Sequence, residues 1–218
     1  MPDIVLVHGL WYGAGSMALL GQRLESAGYH VRRFSYPTRK QDPESNAALL
    51  AEFCRRGGAG ETHLLGHSLG GLLILLMLQR EHDFTRELPA GRLVLLGSPL
   101  AGSQVARRIS KTPGSRFLLG RSGPMLGAGL AFIPGDAWGD RACGMIAGTL
   151  ALGMGRLSGA LGGPSDGTVC TRETNSELLA DRLEIPVTHT GLLFSAEVAR
   201  QVAIFLSKGQ FEHQGRAL

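Results

Sequence analysis

The sequence predicts an α/β fold in which a mostly parallel central sheet is flanked by helices. Two observations lead to this expectation: near-continuous runs of Val, Ile and Leu recur along the chain, and segments with helical periodicity separate them. Such runs are typical of strands that are buried on both faces, as parallel strands are. Regular alternation of strands and helices favours right-handed crossovers within one sheet.

The expected elements follow one another in regular order. Strands are predicted over residues 3–9, 29–37, 62–67, 91–99, 143–153 and 183–191. Helices are predicted over residues 16–27, 42–56, 69–80 and 192–207. Pro43 near a helix start and Gly28 after a helix end are typical positions for these residue types.

The composition is that of a globular protein, with 44% apolar and 18% charged residues among 218. This length favours one domain over residues 1–218. The net charge of +4 comes from scattered basic pairs without interleaved aromatic residues, so we expect no nucleic-acid partner. The three cysteines, Cys54, Cys143 and Cys170, lack metal-ligand spacing and are predicted to be reduced. With no basic start typical of a signal peptide and no transmembrane segment, the predicted location is cytoplasmic.

The region rich in glycine, residues 114–163, shows little periodicity outside its one predicted strand. Residues of about 103–142 and 153–165 are therefore predicted to form a loosely structured insertion. It could act as a lid over an apolar pocket or simply pack as loop, and the sequence leaves both open. The polar tail, residues 209–218, is predicted to be frayed.

One short motif carries the chemistry: Gly66-His67-Ser68-Leu69-Gly70 matches G-x-S-x-G between a predicted strand and an apolar helix. Small flanking residues permit a strained turn that exposes the serine. The N-terminus of the following helix then offers its dipole and free N–H groups to a developing oxyanion. Ser68 is the predicted nucleophile.

A serine needs a base, and the base needs a carboxylate. His189, at the end of a late predicted strand, is the candidate base, because the carboxyl ends of parallel strands meet at one crevice. Asp166 lies between Ser68 and His189 in the chain and is favoured as the carboxylate, with Asp136 and Asp140 as rivals. Four other histidines are expected to be satisfied or exposed, namely His30, His63, His82 and His213. The side chain of His67 is expected to point away from the pocket, and His8 precedes Gly9 in a motif with another role.

The oxyanion donors are expected to be two backbone N–H groups. Leu69 follows the nucleophile, and Leu10 follows Gly9 in the loop after the first strand. Trp11 and Tyr12, in the same loop, could line the acyl or alcohol site or could serve in packing.

Five segments carry a family resemblance over nearly the whole chain: VLVHGLWYG, LLGHSLGG, LVLLGSPLAGS, PSDGTV and VTHTGLLFS. They resemble the α/β-hydrolase superfamily, and within it the small bacterial lipases and esterases that lack the first strands of larger members. The resemblance implies a reduced α/β-hydrolase fold and a triad of Ser68, Asp166 and His189. It also implies that Ser98 to Ser103, which include Leu100, lie near the pocket rim.

The expected activity is hydrolysis of a small-molecule or lipid carboxylic ester without metal or organic cofactor. An acyltransferase or thioesterase with the same triad remains open, as does a non-catalytic binding protein on the same fold. The acyl chain length, the alcohol and the oligomeric state are not determined by the sequence.

Overall fold

The computed structural model describes residues 1–57, 60–80, 90–133, 141–152 and 162–213. Its centre is a sheet of six parallel strands in the order β2-β1-β3-β4-β5-β6. The strands are β1 Asp3–Val7, β2 His30–Phe34, β3 Thr62–His67, β4 Ala90–Leu96, β5 Cys143–Gly148 and β6 Asp181–Ile185. The predicted parallel sheet flanked by helices is confirmed.

The helices cover both faces of the sheet. They are α1 Ala18–Ser26, α2 Pro43–Arg55, α3 Leu69–Arg80, α4 Gln104–Ser110, α5 Ser115–Leu119, α6 Gly123–Ala128 and α7 Ala196–Lys208. One core cluster joins α2, α3 and α4–α6 to one face of the sheet, and a second joins α1 and α7 to the other.

Burial differs between central and edge strands in the way a parallel sheet requires. Every residue of β1, β3 and β5 is buried, whereas β2 and β6 expose polar side chains at the two edges. Edge strands carry charge in this way because unpaired backbone groups there would otherwise invite pairing with other chains. Helix α3 is buried over Leu69–Leu78, which explains its apolar sequence without a membrane.

Five of the predicted strands extend too far at the carboxyl edge of the sheet, the last two by the most, and the predicted start of the last helix is also wrong. Strand β5 ends at Gly148 and β6 at Ile185, so His189 lies in the loop after β6 rather than at a strand end. Pro186 follows β6 directly, and a proline cannot donate to a strand ladder. The last helix begins only at Ala196, where the Ser195 hydroxyl accepts the Val198 N–H at 3.3 Å.

The glycine-rich insertion is more regular than predicted. Residues 104–133, called the cap segment below, form α4, α5 and α6 with short 3₁₀ turns between them. Helices of five to seven residues are too short for a clear periodic signal. The remaining parts of the predicted insertion, residues 134–140 and 153–161, lie outside the described residues.

The predicted frayed tail is also wrong over residues 209–213. Phe211 is buried against Phe205 with ring centroids 4.7 Å apart. The Phe211 N–H donates to Asp181 at 2.7 Å, and His213 contacts the same carboxylate. Residues 214–218 lie outside the described part of the chain.

Two further sequence expectations concern cysteines and membrane segments. All three cysteines are free and buried, and burial raises the pKa of the Cys54 thiol to about 11. Within the described ranges, no helix has the length and apolar character needed to span a bilayer.

Candidate active site

Ser68 occupies a sharp turn between β3 and α3. Its φ of 54° lies in the left-handed region, which non-glycine residues seldom adopt. A Cβ atom at Gly66 would lie 2.4 Å from the Gly71 backbone, and one at Gly70 would lie 2.2 Å from the Val7 carbonyl oxygen. The two glycines of the motif are therefore required by close backbone approach, and the turn has the geometry of a nucleophile elbow.

The elbow is hydrogen-bonded to the sheet. The Ser68 N–H donates to the Leu96 carbonyl at 2.9 Å, which continues the β3–β4 pairing by one residue. The residue is 8% exposed and borders a cavity. Leu69 begins α3, so the positive end of that helix lies beside the serine.

Asp166 and His189 form a buried pair at the edge of the same cavity. The His189 Nδ1–H donates to Asp166 Oδ2 at 2.6 Å, and the Asp166 carbonyl accepts the His189 N–H at 2.8 Å. The second carboxylate oxygen of Asp166 accepts the N–H groups of Thr168 and Val169 at 2.9 and 2.8 Å. With Nδ1 protonated, Nε2 of His189 keeps its lone pair and is free to act as a base.

Two glycines that the sequence analysis did not single out make room for this pair. Gly97, directly after β4, has φ +58°, and a Cβ there would lie 3.0 Å from Asp166 Oδ2 and 3.2 Å from His189 Nδ1. A Cβ at Gly148 would lie 2.7 Å from the Asp166 Cβ. Gly97 follows a strand and Gly148 ends one at the edge where Ser68 lies, but their neighbours in the sequence do not indicate these contacts.

His67 is buried behind the candidate base rather than on the cavity wall. Its Nε2–H donates to the His189 carbonyl at 3.0 Å, and the two rings lie 4.6 Å apart. Its Nδ1 atom is buried without a hydrogen-bond partner among the described residues. Burial, with the nearby His189 as a lesser cause, holds the pKa of His67 well below its usual value, so the ring is neutral.

The other described histidines make local contacts. His8 stacks on Tyr36, and burial lowers its pKa. Nδ1 of His63 accepts the Arg92 N–H at 2.9 Å, and burial lowers the pKa of His63 too. His30 contacts Asp3 and His213 contacts Asp181. His82 and the rival carboxylates Asp136 and Asp140 lie outside the described residues, within which no cluster of metal-ligating side chains occurs.

The predicted oxyanion donors lie next to the nucleophile. Leu10 borders the cavity together with Ser68, and Leu69 begins the helix behind it. In the part of the chain that the structure describes, neither amide is bonded to a backbone carbonyl. Trp11 has a φ of 66°, and its N–H donates to the Thr38 hydroxyl at 3.4 Å. The loop thus has an unusual backbone where an amide must turn toward the serine.

The cavity has a volume of about 120 Å³. Its walls are the Leu10–Tyr12 loop, the elbow, the loops that hold Asp166 and His189, and the cap segment. The cap contributes apolar side chains, namely Val105, Ala106, Ile109, Leu119 and Leu126. Leu100 is not on this wall: it is 1% exposed, and its carbonyl accepts the Leu130 N–H.

The cap segment is joined to the catalytic edge by one buried carboxylate. Glu173 is 2% exposed, and its two oxygens accept the N–H groups of Gln104 and Cys170 at 2.7 and 2.9 Å. Gln104 begins α4, and Cys170 follows the Asp166 loop. Glu173 therefore fixes the start of the cap relative to the Asp166 loop, a role that its position in the sequence did not reveal.

Comparison with known proteins adds to this geometry. Residues 4–201 match the model of the alpha/beta hydrolase family. The fold is similar to a Bacillus licheniformis lipase, with 19% identity, a TM-score of 0.71, and coverage of 94% of this chain and 91% of that one.

Two other solved structures share the fold at lower similarity. A metagenomic carboxyl esterase has 16% identity and a TM-score of 0.68, with coverage of 86% of this chain and 64% of that one. An Arabidopsis methylesterase has 14% identity and a TM-score of 0.59, with coverage of 96% and 98%. A search of curated protein sequences finds no significant match.

Proposed function

Because the chain belongs to the alpha/beta hydrolase family, we propose that it is a serine hydrolase of carboxylic esters. The observation that carries the proposal is that Ser68 and His189 line one cavity while Asp166 is hydrogen-bonded to the His189 ring. Ser68 has a left-handed backbone, and the His189 ring beside the same cavity is joined to Asp166 at 2.6 Å. The names of the similar structures, a lipase, a carboxyl esterase and a methylesterase, also favour ester substrates.

In the proposed reaction, Nε2 of His189 takes the proton of the Ser68 hydroxyl as its oxygen attacks the ester carbonyl. Asp166 holds the imidazole in the required tautomer and stabilises its charged form. The amides of Leu10 and Leu69 stabilise the oxyanion. His189 then protonates the departing alcohol oxygen, leaving an acyl group on Ser68. Water repeats the same path to release the acid.

The cavity favours a small acyl group. Its volume is about 120 Å³, somewhat below the roughly 150 Å³ of an engineered apolar cavity that binds benzene. The apolar side chains of the cap segment would bury an alkyl chain of a few carbons, each methylene contributing about 0.8 kcal/mol. We therefore infer a preference for acyl groups near butyrate. A single domain over residues 1–218 and a cytoplasmic location stay predictions.

The test is turnover of p-nitrophenyl butyrate by Ser68→Ala, for which we expect a loss of kcat of at least about a thousandfold. The matched control is Ser26→Ala, which removes a hydroxyl that donates to the Gln22 carbonyl on the exposed face of α1. The control is expected to keep full activity. Covalent labelling of the wild-type protein by a fluorophosphonate should disappear in Ser68→Ala alone. A Ser68→Ala protein that is folded and retains most of its turnover would refute the proposal.

A further inference from the structure

We propose that the hydroxyl groups of Tyr12 and Thr190 form a subsite for the alcohol part of the substrate, and that this alcohol is a neutral polyol. The two oxygens lie 2.7 Å apart across the cavity mouth, and both residues line the cavity. This inference rests on the proposed ester hydrolysis and names its substrate class: short-chain acyl esters of hydroxylated alcohols.

The chemistry of the reaction determines which part of the substrate lies where. His189 must protonate the departing alcohol oxygen, so the alcohol lies on the side of its ring. Thr190 is the next residue in the chain, and the Tyr12 ring packs edge-on against His67, whose own ring contacts His189. The part of the wall that the cap segment contributes is apolar and suits the acyl chain. The cavity therefore has a hydroxyl-bearing alcohol side and a hydrocarbon acyl side.

The hydrogen-bonding capacity of the pair points to a ligand that both donates and accepts. Two hydroxyls carry two protons and four lone pairs, and their mutual bond uses one proton and one lone pair. One donor and several acceptor positions remain. A substrate hydroxyl can both accept from the remaining donor and donate to a remaining acceptor. An alcohol part made of alkyl groups alone would cover these positions without replacing their hydrogen bonds to water.

The charge of the lining excludes a strong preference for ionic alcohols. Among the described residues that line the cavity, none is Asp, Glu, Lys or Arg, and His189 is the one histidine. A phosphate-bearing alcohol would lack a basic partner, and a quaternary ammonium would lack an acidic one. The remaining class is a neutral alcohol with additional hydroxyls, such as glycerol or a sugar.

The experiment compares two esters with the same acyl group and the same three-carbon alcohol skeleton, propyl butyrate and glyceryl 1-monobutyrate. For the wild-type protein we expect kcat/KM to be about tenfold higher for glyceryl monobutyrate, the size of one to two net hydrogen bonds. Tyr12→Phe keeps the ring that packs on His67, and Thr190→Val keeps the side-chain shape. Each should lower the ratio of the two kcat/KM values at least fivefold, mainly through KM for glyceryl monobutyrate. The control Tyr29→Phe removes a hydroxyl that donates to the Ala203 carbonyl and does not line the cavity, and it should leave the ratio unchanged.

The outcomes separate this inference from the proposed function. A wild-type ratio of one or less, or equal losses on both esters in Tyr12→Phe and Thr190→Val, would overturn the polyol subsite. The pair would then serve only to join two loops, and ester hydrolysis would stand. Failure of the wild-type protein to hydrolyse either ester would instead overturn the proposed function itself, and the subsite with it.

Discussion

The elbow and the cap segment face each other across one cavity, yet they are held in place by different means. At the elbow and beside the Asp166–His189 pair, glycines lie so close to neighbouring backbone and side chains that a single methyl group would not fit. The cap segment borders the cavity with apolar residues, and at one of its glycines, Gly114, a Cβ would meet no atom within 4 Å. We infer that the elbow side determines the reaction and the cap determines which acyl groups reach it.

The sharpest test of this comparison places the same substitution on both sides. Gly97→Ala adds a methyl group that meets Asp166 and His189 at 3.0 and 3.2 Å, at a φ of +58°. We expect kcat to fall about a hundredfold or more, since small misplacements of catalytic groups cost this much. Steady-state kinetics on p-nitrophenyl butyrate provide the measurement.

The matched control is Gly114→Ala in the cap segment. Gly114 also has a positive φ, +80°, but a Cβ there would meet no atom within 4 Å. The Gly114→Ala variant should show the effect of backbone strain alone, a loss of about 1 kcal/mol in the free energy of unfolding measured in urea. Its kcat should stay within about twofold of wild type. Equal losses of kcat in the two variants would contradict the contrast between elbow and cap.

A smaller effect is expected from widening the acyl side. Ile109 lines the cavity from α4, and Ile109→Ala removes hydrocarbon from this wall. Relative to butyrate, kcat/KM for the p-nitrophenyl hexanoate ester should rise about tenfold, as expected for burying two further methylenes. Leu118→Ala, on the exposed side of α5, is the control and should keep the wild-type preference. An unchanged preference in Ile109→Ala would argue against acyl selection by the cap.

The smallest expected effect is a change of stability with pH, and it arises from histidines of the sheet region rather than of the cap segment. Burial lowers the pKa of His8, His63 and His67 in the folded state, whereas the cap segment contains no histidine. As pH falls below the unfolded value of about 6.5, the unfolded chain binds protons that the folded protein does not, so stability decreases. We expect the free energy of unfolding in urea to be lower at pH 5 than at pH 8.

A non-titrating replacement checks the origin of this pH dependence. His67→Asn keeps an N–H donor for the His189 carbonyl and should show a shallower loss of stability between pH 6.5 and 5. At pH 8 the three histidines are neutral in both states, so that pH gives the intrinsic cost of the substitution. An identical slope in wild type and His67→Asn would exclude His67 as a contributor.

Sequence periodicity predicted the parallel sheet and the elbow because both follow from local patterns. The apolar run of β3, the two small residues around Ser68 and the apolar helix α3 are contiguous in the chain. The residues that hold the candidate site in position are not contiguous with it in the chain. Gly97 and Glu173 act on residues tens of positions away, and nothing beside them in the sequence indicates those contacts.

The cap segment and the loop of His189 show a second reason why sequence periodicity failed to predict parts of the structure. Helices α4–α6 are stabilised by packing of a few side chains and by bonds such as that of Trp11 Nε1–H to the Leu118 carbonyl at 2.8 Å. Their length is below that at which periodicity distinguishes helix from loop. The end of β6 was signalled by Pro186, which the apolar pattern through Val187 obscured.

The hydrogen bond from His67 to the His189 carbonyl joins residues 122 positions apart, and this separation bears on folding kinetics. Contacts between residues so far apart in the chain form late, because the entropy cost of closing a long loop must be overcome first. The pocket can therefore be completed only after β5 and β6 have docked on the earlier strands. Recovery of the proposed ester hydrolysis during refolding should thus lag behind the formation of secondary structure, so that turnover would report the last assembly step.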